Sequence, residues 1–389
     1  MFLLITSCGA PKQAIWTILV YMAADNSLNE AAIDEINEME AADFSDEINV
    51  ILQIDSREGN LYNFYPGARR YHIYPDTSND LQIIHSPVIR SLGEIDSGDP
   101  QQLADFVNWG CNNYPADNTA LIIWSHGNGW YDAYNRFCPD NDSGNSISVP
   151  NGDLAAALYG IYHEIDMLIL DACNMQCLEV LAEIGNNADL VIGSETTVCT
   201  DGFPYSEILG FWEDYNDFDM LAQEITLTYI NSYLPGGSQY QPGVNPGLSV
   251  SSFRSEKIND IMDQIENFVT AWQISAGEDY MENARGNCLE YNDLNADVDV
   301  IDFFSQLVTE EIPQDLEIFC NDIITLLNQA FFCQQYYNLP AEFSGTATIW
   351  FPDTEDTFVN LNVVYNQLEF AETDWTLFLD SGFSRQNMP

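Results

Sequence analysis

Six short apolar runs, separated by amphipathic or polar stretches, constrain the fold of this 389-residue chain more than any other feature. Each run is rich in Val, Ile, Leu and aromatic residues, a composition typical of a strand buried on both faces. The runs lie at 16–24, 48–55, 70–74, 119–125, 166–172 and 189–194, and helical patterns lie at 27–42, 100–114, 152–165 and 173–187. Strands that alternate with helices predict an α/β fold with a mostly parallel β-sheet sandwiched by helices.

The pattern changes after about residue 250, where helical periodicity dominates. Helices are predicted at 255–274 and 314–337, with one late strand at 345–352. We therefore expect an N-terminal tether over 1–13, an α/β domain over 14–250 and a mainly helical region over 251–389. Whether that last region forms a separate domain is open on sequence grounds alone.

The charge balance is strongly acidic, with 61 Asp and Glu against 10 Lys and Arg and a net charge of -51. Because charged residues make up only 18% of the chain, this is mainly a shortage of basic residues. A protein that binds nucleic acid or an anionic membrane needs a basic patch, and the sequence contains none. Cations and basic peptides fit the charge better as partners, although a solvated acidic surface accounts for the same numbers.

The N-terminus carries a possible export signal. Ile5, Thr6 and Ser7 precede Cys8, an arrangement typical of the lipid attachment site of a bacterial lipoprotein. This predicts lipidation at Cys8 and a cell-envelope or secreted location, with membrane contact only through the lipid anchor. A frayed apolar terminus is the alternative. No other run approaches the roughly 18 apolar residues that a membrane-spanning helix needs.

The other eight cysteines form no CxxC pair and no cluster with histidine, so we expect no structural zinc. In an exported protein some of them could form disulfides. Cys173 and Cys177 are one helical turn apart, a spacing more typical of packing than of a bond. The chain is rich in Asp and Asn but has no EF-hand-type loop, so no metal and no cofactor is predicted.

Two reactive side chains follow apolar strands. His126 comes just after the run at 119–125, and Cys173 comes just after the run at 166–172. In an open parallel sheet, ligands bind beyond the carboxyl ends of the strands, where these two residues would meet. An imidazole and a thiol placed together can carry out nucleophilic attack on a carbonyl. Taken singly, each residue is more often structural.

Neighbouring residues suit this chemistry. Gly127 and Gly129 allow a tight turn whose N–H groups could approach a substrate oxygen. Cys173 opens a helical pattern, and a helix N-terminus would lower the pKa of its thiol. Asp171 should project to the same side of the strand as Cys173, where a carboxylate could bind a cationic side chain but would oppose thiolate formation.

The order of these features resembles the clostripain family of cysteine peptidases, which shares a caspase-like clan with caspases, gingipains and legumains. The shared pattern is an apolar block, Ser-His-Gly, an exposed loop at 138–153, a second apolar block and Asp-Ala-Cys. The resemblance extends to ILVYMAADNSL at 18–28 and to GTATIWFP at 345–352. It implies a caspase-like catalytic domain over 14–250, completed by the C-terminal region.

The resemblance also implies roles for individual residues. His126 would be the general acid and base, Cys173 the nucleophile, and the N–H groups of Gly127 and Cys173 the oxyanion hole. Asp171 matches the acidic residue of the primary specificity pocket, which implies cleavage after Arg or Lys. The segment 194–205 resembles the other wall of that pocket, with Ser194, Glu195 and Asp201 as substrate-binding candidates. For Asp201, a solvated loop position is an equal alternative.

One departure from the family pattern and two properties found among its members bear on the prediction. Asn174 follows the proposed nucleophile, where the family usually has an apolar residue. Members are commonly matured by cleavage at a basic residue between His and Cys, and here the one basic residue in that interval is Arg136. We therefore expect self-processing in the 136–152 loop, after Arg136. Calcium dependence is known in part of the family, but no motif supports it in this chain.

These observations predict a monomeric cysteine endopeptidase, exported or lipid-anchored, that acts on proteins or peptides with basic residues. A second possibility is a catalytically silent lipoprotein that keeps the caspase-like fold and binds peptides or glycans. A third is an acyl hydrolase or transferase that uses the same thiol. The Cys and His pair favours an enzyme, and Asp171 favours a cationic substrate over a neutral acyl group.

Overall fold

The computed structural model describes residues 13–57, 66–78, 83–131, 136–275, 279–288, 297–340 and 344–383. Its strands are β1 (Ala14–Ala24), β2 (Ile48–Ser56), β3 (Ala68–Ile73), β4 (Val88–Gly93), β5 (Ala116–Trp124), β6 (Met167–Asp171), β7 (Leu190–Gly193), β8 (Leu248–Arg254), β9 (Asp297–Asp299), β10 (Phe331–Tyr337) and β11 (Thr348–Trp350). Nine of them form one sheet in the order β10-β8-β7-β6-β5-β1-β2-β3-β4, and β9 pairs separately with β11. The five central strands from β7 to β2 are parallel, and the strands beyond them on both sides are antiparallel.

Helices cover both faces of this sheet. They are α1 (Ala31–Ala41), α2 (Pro100–Asn113), α3 (Asp153–Tyr159), α4 (Leu178–Ile184), α5 (Tyr205–Phe211), α6 (Phe218–Tyr233), α7 (Ile258–Ser275), α8 (Asp279–Asn287), α9 (Val300–Thr309), α10 (Gln314–Ala330), α11 (Glu355–Tyr365) and α12 (Trp375–Phe383). Alternate residues of β1 point to opposite faces, with Ile18 in the core under α1, α5 and α6 and Leu19 in the core under α2, α3 and α4. The predicted mostly parallel sheet sandwiched by helices is therefore confirmed.

One predicted helix is wrong in its second half. The helical pattern at 314–337 continues only to Ala330, and the segment FFCQQYY that follows forms β10, antiparallel to β8. Phe331 already has an extended backbone, and Cys333 has a positive φ of 58° where the register shifts. Aromatic residues favour strands, and pairing with an existing sheet edge decides between the two conformations.

The C-terminal region is built into the same sheet. β8 spans residues 248–254 and so crosses the expected boundary at 250, and β10 extends the sheet beyond β8. The helices after this point pack over one face through an aromatic cluster in which Phe303, Phe378 and Trp375 have ring centroids 4.6 to 5.9 Å apart. Among the described residues, no helix combines the length and apolar character needed to cross a membrane.

Candidate active site

The strand register brings the two predicted reactive residues to one edge of the sheet. β5 and β6 are parallel neighbours, and Trp124 at the end of β5 pairs with Asp171 at the end of β6. The amide of Ser125 continues the ladder by donating to the carbonyl of Asp171 at 3.2 Å. His126 and Cys173 each lie two residues beyond the paired ends. Because both residues lie the same number of positions beyond the ends of neighbouring strands, His126 and Cys173 are neighbours at the carboxyl edge of the sheet.

Both side chains line one cavity of about 230 Å³ above this edge. The walls come from the ends of β5 and β6, from the loop after β1, and from the segment 197–202 that follows β7. The lining residues are Leu28, Trp124, Ser125, His126, Asp171, Ala172, Cys173, Thr197, Val198, Cys199, Thr200 and Gly202. The cavity therefore contains a thiol, an imidazole and a carboxylate.

His126 is held by the loop that follows β1. The Oγ atom of Ser27 lies 2.7 Å from Nε2 of the imidazole. The neighbouring Asn26 side chain donates to the carbonyls of Ala23 and Pro139, which fixes this loop against the segment after β5. Burial lowers the pKa of His126, so the imidazole is neutral at neutral pH and can accept a proton. Sequence reasoning missed Ser27, because the contact spans 99 positions.

Cys173 does not lie at a helix N-terminus. It stands in a turn directly after β6, and α4 begins only at Leu178. Burial raises the pKa of the Cys173 thiol, and the nearby Asp171 carboxylate raises it further, while a hydrogen bond to the carbonyl of Val198 (3.7 Å) opposes the shift. The expected lowering of the thiol pKa by a helix dipole is wrong. The thiol is protonated at neutral pH and needs a neighbouring base.

The backbone beside Cys173 is packed so closely that residue types are restricted. A Cβ atom on Gly127 would stand 2.7 Å from the carbonyl oxygen of Cys173 and 2.9 Å from Cβ of Ala172, closer than such atoms approach. Asn174 has a positive φ of 60°, a left-handed conformation that Asn tolerates and apolar branched residues avoid. Its amide donates to the carbonyl of Thr196 at 3.0 Å. This conformation gives a physical reason for the polar residue after Cys173.

Asp171 is the acidic group of the cavity. Its side chain is 3% exposed, and Oδ2 accepts hydrogen bonds from the Tyr205 hydroxyl at 2.7 Å and from the Phe203 amide at 3.4 Å. Burial raises the pKa of Asp171 to about 6, against the effect of these two hydrogen bonds. The carboxylate is therefore ionised above about pH 6, and none of its contacts among the described residues is cationic.

Asp201 lies beyond the other wall. It borders two cavities that adjoin the first one and share Thr200 with it, of about 290 and 270 Å³. The amide of the Gln241 side chain donates to Oδ2 of Asp201 at 2.7 Å, and the Gln239 side chain contacts its carbonyl. The position suits a residue that meets a substrate outside the Cys173 cavity.

Ser194 and Glu195 are not brought to the cavity. Ser194 is fully buried and its hydroxyl donates to the carbonyl of Thr196 at 3.0 Å. Glu195 is 2% exposed, with its amide bonded to the Ser249 hydroxyl at 3.1 Å. Both residues therefore lie beneath the wall on which the sequence analysis placed them.

Of the remaining predicted sites, Arg136 is exposed in the loop between β5 and β6, and its Nη1 lies 3.4 Å from the carbonyl of Gly144. Cys8 lies outside the described residues. Among the described residues, Cys111, Cys138, Cys173, Cys177, Cys199, Cys320 and Cys333 are free thiols.

The carboxylates of Asp25, Glu94 and Asp140 form a group that could hold a cation, and no sequence motif predicts this group. Single oxygens of Asp25, Glu94 and Asp140 lie within 4.8 Å of one another, and Oδ1 of the buried Asp25 has no hydrogen-bond partner in the described part of the chain. Calcium and magnesium prefer such oxygen ligands. The three residues come from the end of β1, from the segment after β4 and from the loop after His126, so no local spacing could have revealed them.

Comparisons with known proteins agree with this architecture. A sequence model described as the clostripain family matches residues 20–382. Clostripain of Hathewaya histolytica is 29% identical over 216 residues, which cover 49% of this chain and 41% of clostripain, so the match spans less than half of that relative.

Two solved structures are similar over nearly the whole chain. A secreted C11 cysteine protease from Bacteroides thetaiotaomicron, in complex with an irreversible peptide inhibitor, superimposes with a TM-score of 0.72 at 21% identity, covering 93% of this chain and 99% of the other. An inactive zymogen C11 protease from Parabacteroides distasonis gives a TM-score of 0.69 at 20% identity, covering 94% and 99%. At these identities the likeness shows the fold, and the expected caspase-like α/β architecture is confirmed.

Proposed function

The chain belongs to the clostripain family, and from this premise we propose that it is a cysteine endopeptidase that cleaves after arginine or lysine. One observation carries the proposal: Cys173 and His126, at the ends of two paired strands, line a single cavity together with the buried carboxylate of Asp171. Thiol, base and acidic pocket are the three elements that such a reaction requires. The kinship with clostripain, and with two proteins described as C11 proteases, supports the same reading.

In the proposed mechanism, neutral His126 takes the proton of the Cys173 thiol, and the thiolate attacks the carbonyl carbon of the scissile bond. Because Ser27 contacts Nε2 of His126, Nδ1 is the ring nitrogen that would exchange the proton with the Cys173 thiol. The N–H groups of Gly127 and Cys173 donate to the oxyanion that forms. The imidazolium then returns the proton to the leaving amine, and a water molecule, deprotonated by His126, releases the acid product from the thioester.

Thiolate formation needs the imidazole at the moment of attack, because the pKa of Cys173 is raised rather than lowered. Asp171 contributes to that rise, so its negative charge disfavours the thiolate form of Cys173 in the enzyme without substrate. A cationic substrate side chain beside Asp171 would cancel part of this effect. Binding of the correct substrate would therefore also favour the reactive ionisation state.

The function is tested with fluorogenic peptides that differ only in the residue before the scissile bond: Arg, Lys, Gln or Glu. We expect cleavage of the Arg and Lys peptides with kcat/KM at least about 100-fold above the Gln and Glu peptides, since a buried carboxylate discriminates strongly against a side chain that leaves it unpaired. Equal cleavage of all four would contradict basic specificity. Binding of the Arg peptide without any cleavage would instead favour the silent binding protein.

The role of Asp171 predicts a pH dependence of ligand binding. Agmatine carries a guanidinium group, and its inhibition constant is expected to rise about tenfold from pH 7.5 to pH 5 as Asp171, with a pKa of about 6, takes up a proton and loses its charge. In Asp171→Asn the binding should be weak at both pH values. A wild-type inhibition constant that does not change over this range would argue against the assignment.

We also propose that the chain processes itself after Arg136. The Arg136 side chain is exposed, but the next residue, Phe137, is 1% exposed and its carbonyl accepts from the Ile147 amide at 3.0 Å. The bond can be cut only when this segment opens locally, so self-cleavage is expected to be slower than cleavage of a free arginine peptide. Intact mass measurements should show two fragments for the wild type and one chain for Arg136→Gln and for Cys173→Ala. An active wild type that remains one chain would refute this step.

Export to the cell envelope, with a lipid on Cys8, remains part of the proposal on sequence grounds. The description of one similar protein as secreted is in keeping with it.

A further inference from the structure

We propose that Glu35, on α1, is a further specificity-determining residue: it forms with Asp171 a two-carboxylate site that holds the guanidinium group of an arginine side chain. The inference rests on the proposed function, because it extends the pocket assigned to Asp171. Neither the apolar periodicity of α1 nor the family resemblance drew attention to Glu35.

The two carboxylates meet at Gly202. A Cβ atom on Gly202 would lie 2.6 Å from Oε1 of Glu35 and 3.0 Å from Oδ2 of Asp171, so both oxygens lie close to one point. Gly202 has a positive φ of 53° and lines the cavity that contains Cys173 and His126. Because glycine has no side chain, nothing from residue 202 separates the two carboxylates at this wall.

Glu35 is buried without a complete set of partners. Its side chain is 3% exposed, and Oε2 has no hydrogen-bond partner among the described residues. The side chain of Trp124 donates a hydrogen bond to the carboxylate, but burial and the charge of Asp171 raise the pKa of Glu35 well above its usual range. Both effects favour the protonated form of Glu35 in the empty site, and a cationic ligand that supplies the missing donor would favour its carboxylate form.

The surroundings of Glu35 are acidic. It lines the adjoining cavity of about 270 Å³, whose walls also carry Asp34, Glu38 and Asp201, and no described residue of these walls is Lys or Arg. Thr200 lines this cavity as well as the cavity of Cys173 and His126. A cation that enters past Cys173 would thus meet increasing negative potential toward Glu35.

Guanidinium is the cation that this arrangement fits best. It is planar, with five N–H donors in a fixed fork that can bond two acceptors at once. Glu35 has an oxygen, Oε2, without a hydrogen-bond partner among the described residues, and Asp171 lies beside it at Gly202, so the two side chains can offer acceptors to the same fork. An ammonium group is a compact point charge that Asp171 alone can neutralise. Glu35 should therefore matter more for arginine than for lysine.

The test compares Glu35→Gln with the wild type on two peptides that differ only in Arg or Lys before the scissile bond. We expect kcat/KM to fall at least about tenfold for the Arg peptide and about two- to threefold for the Lys peptide. Glu30→Gln makes the same change from carboxyl to amide at the exposed N-terminal end of the same helix and should change neither value. Glu35→Asp keeps the carboxyl group on a shorter side chain and should retain part of the Arg activity.

A second readout does not depend on catalysis. Agmatine binding is measured by calorimetry on Cys173→Ala and on Cys173→Ala/Glu35→Gln, and we expect at least about tenfold weaker binding to the second protein. Unchanged agmatine affinity and an unchanged Arg to Lys ratio, in a Glu35→Gln protein with a wild-type thermal midpoint, would overturn the role of Glu35 and leave the proposed function intact. A wild type that cleaves neither peptide would overturn both.

Discussion

Replacement of Cys173 with alanine is expected to lower kcat/KM for an arginine peptide by about 10,000-fold or more, and His126→Ala should have a comparable effect. The two side chains would act as one unit, because the thiol has a raised pKa and cannot ionise appreciably without the imidazole. The double variant should therefore be little worse than either single variant. Steady-state kinetics on the three proteins measures this.

The control for this experiment is Cys288→Ser, which removes another partly exposed thiol at the end of α8, outside the cavity. Its activity should equal that of the wild type within a factor of two. Retention of activity in Cys173→Ala would exclude the mechanism. Single effects that simply multiply in the double variant would show that the two residues act independently.

The second large effect is expected for Gly127→Ala. Its new Cβ would stand 2.7 Å from the carbonyl oxygen of Cys173, so either the turn after β5 or the turn after β6 must move. Such a movement displaces the Gly127 N–H from the oxyanion position, and loss of one donor typically costs about 100- to 1,000-fold in kcat. KM should change little, because the contact forms mainly in the transition state.

Gly210→Ala serves as the matched control, since a Cβ there would meet its nearest neighbour only at 4.0 Å, within α5. Its kcat should equal the wild-type value, and its stability should be equal or slightly higher because alanine favours a helix. Thermal unfolding of Gly127→Ala distinguishes a folded protein with a displaced turn from a protein that has lost its fold. A folded Gly127→Ala protein with normal kcat would rule out an oxyanion role for this amide.

Local pattern was a good guide to the central strands. Buried strands of a parallel sheet are continuous apolar runs, and the runs that became β1, β2, β5, β6 and β7 were each visible in the sequence. Where such a run ends, the chain leaves the sheet, so His126 and Cys173 could be assigned to its carboxyl edge. That inference needs only the chemistry of neighbouring residues along the chain.

The sequence pattern predicted the wrong secondary structure where contacts with residues far away in the chain decided the backbone conformation. FFCQQYY continues a helical periodicity, yet it becomes β10 because β8 offers an open edge. The pattern of CNMQCLEVL predicts a helix from Cys173, but the helix begins only at Leu178. The backbone N–H groups of Asn174 and Gln176 instead donate to carbonyls in the segment after β7. The same contacts place Ser194 under the wall rather than on its surface.

The sequence by itself determined the α/β class, the edge of the sheet at which chemistry is possible, and the two residues that meet there. The tertiary structure alone decided the surroundings of these residues: the Ser27 contact to His126, the raised pKa of the Cys173 thiol, and the approach of Glu35 to Asp171 at Gly202. The physical reason is the range of the interactions. Strand ends follow from apolar spacing along the chain, whereas burial, charge and shared partners arise only after segments far apart in sequence have packed together.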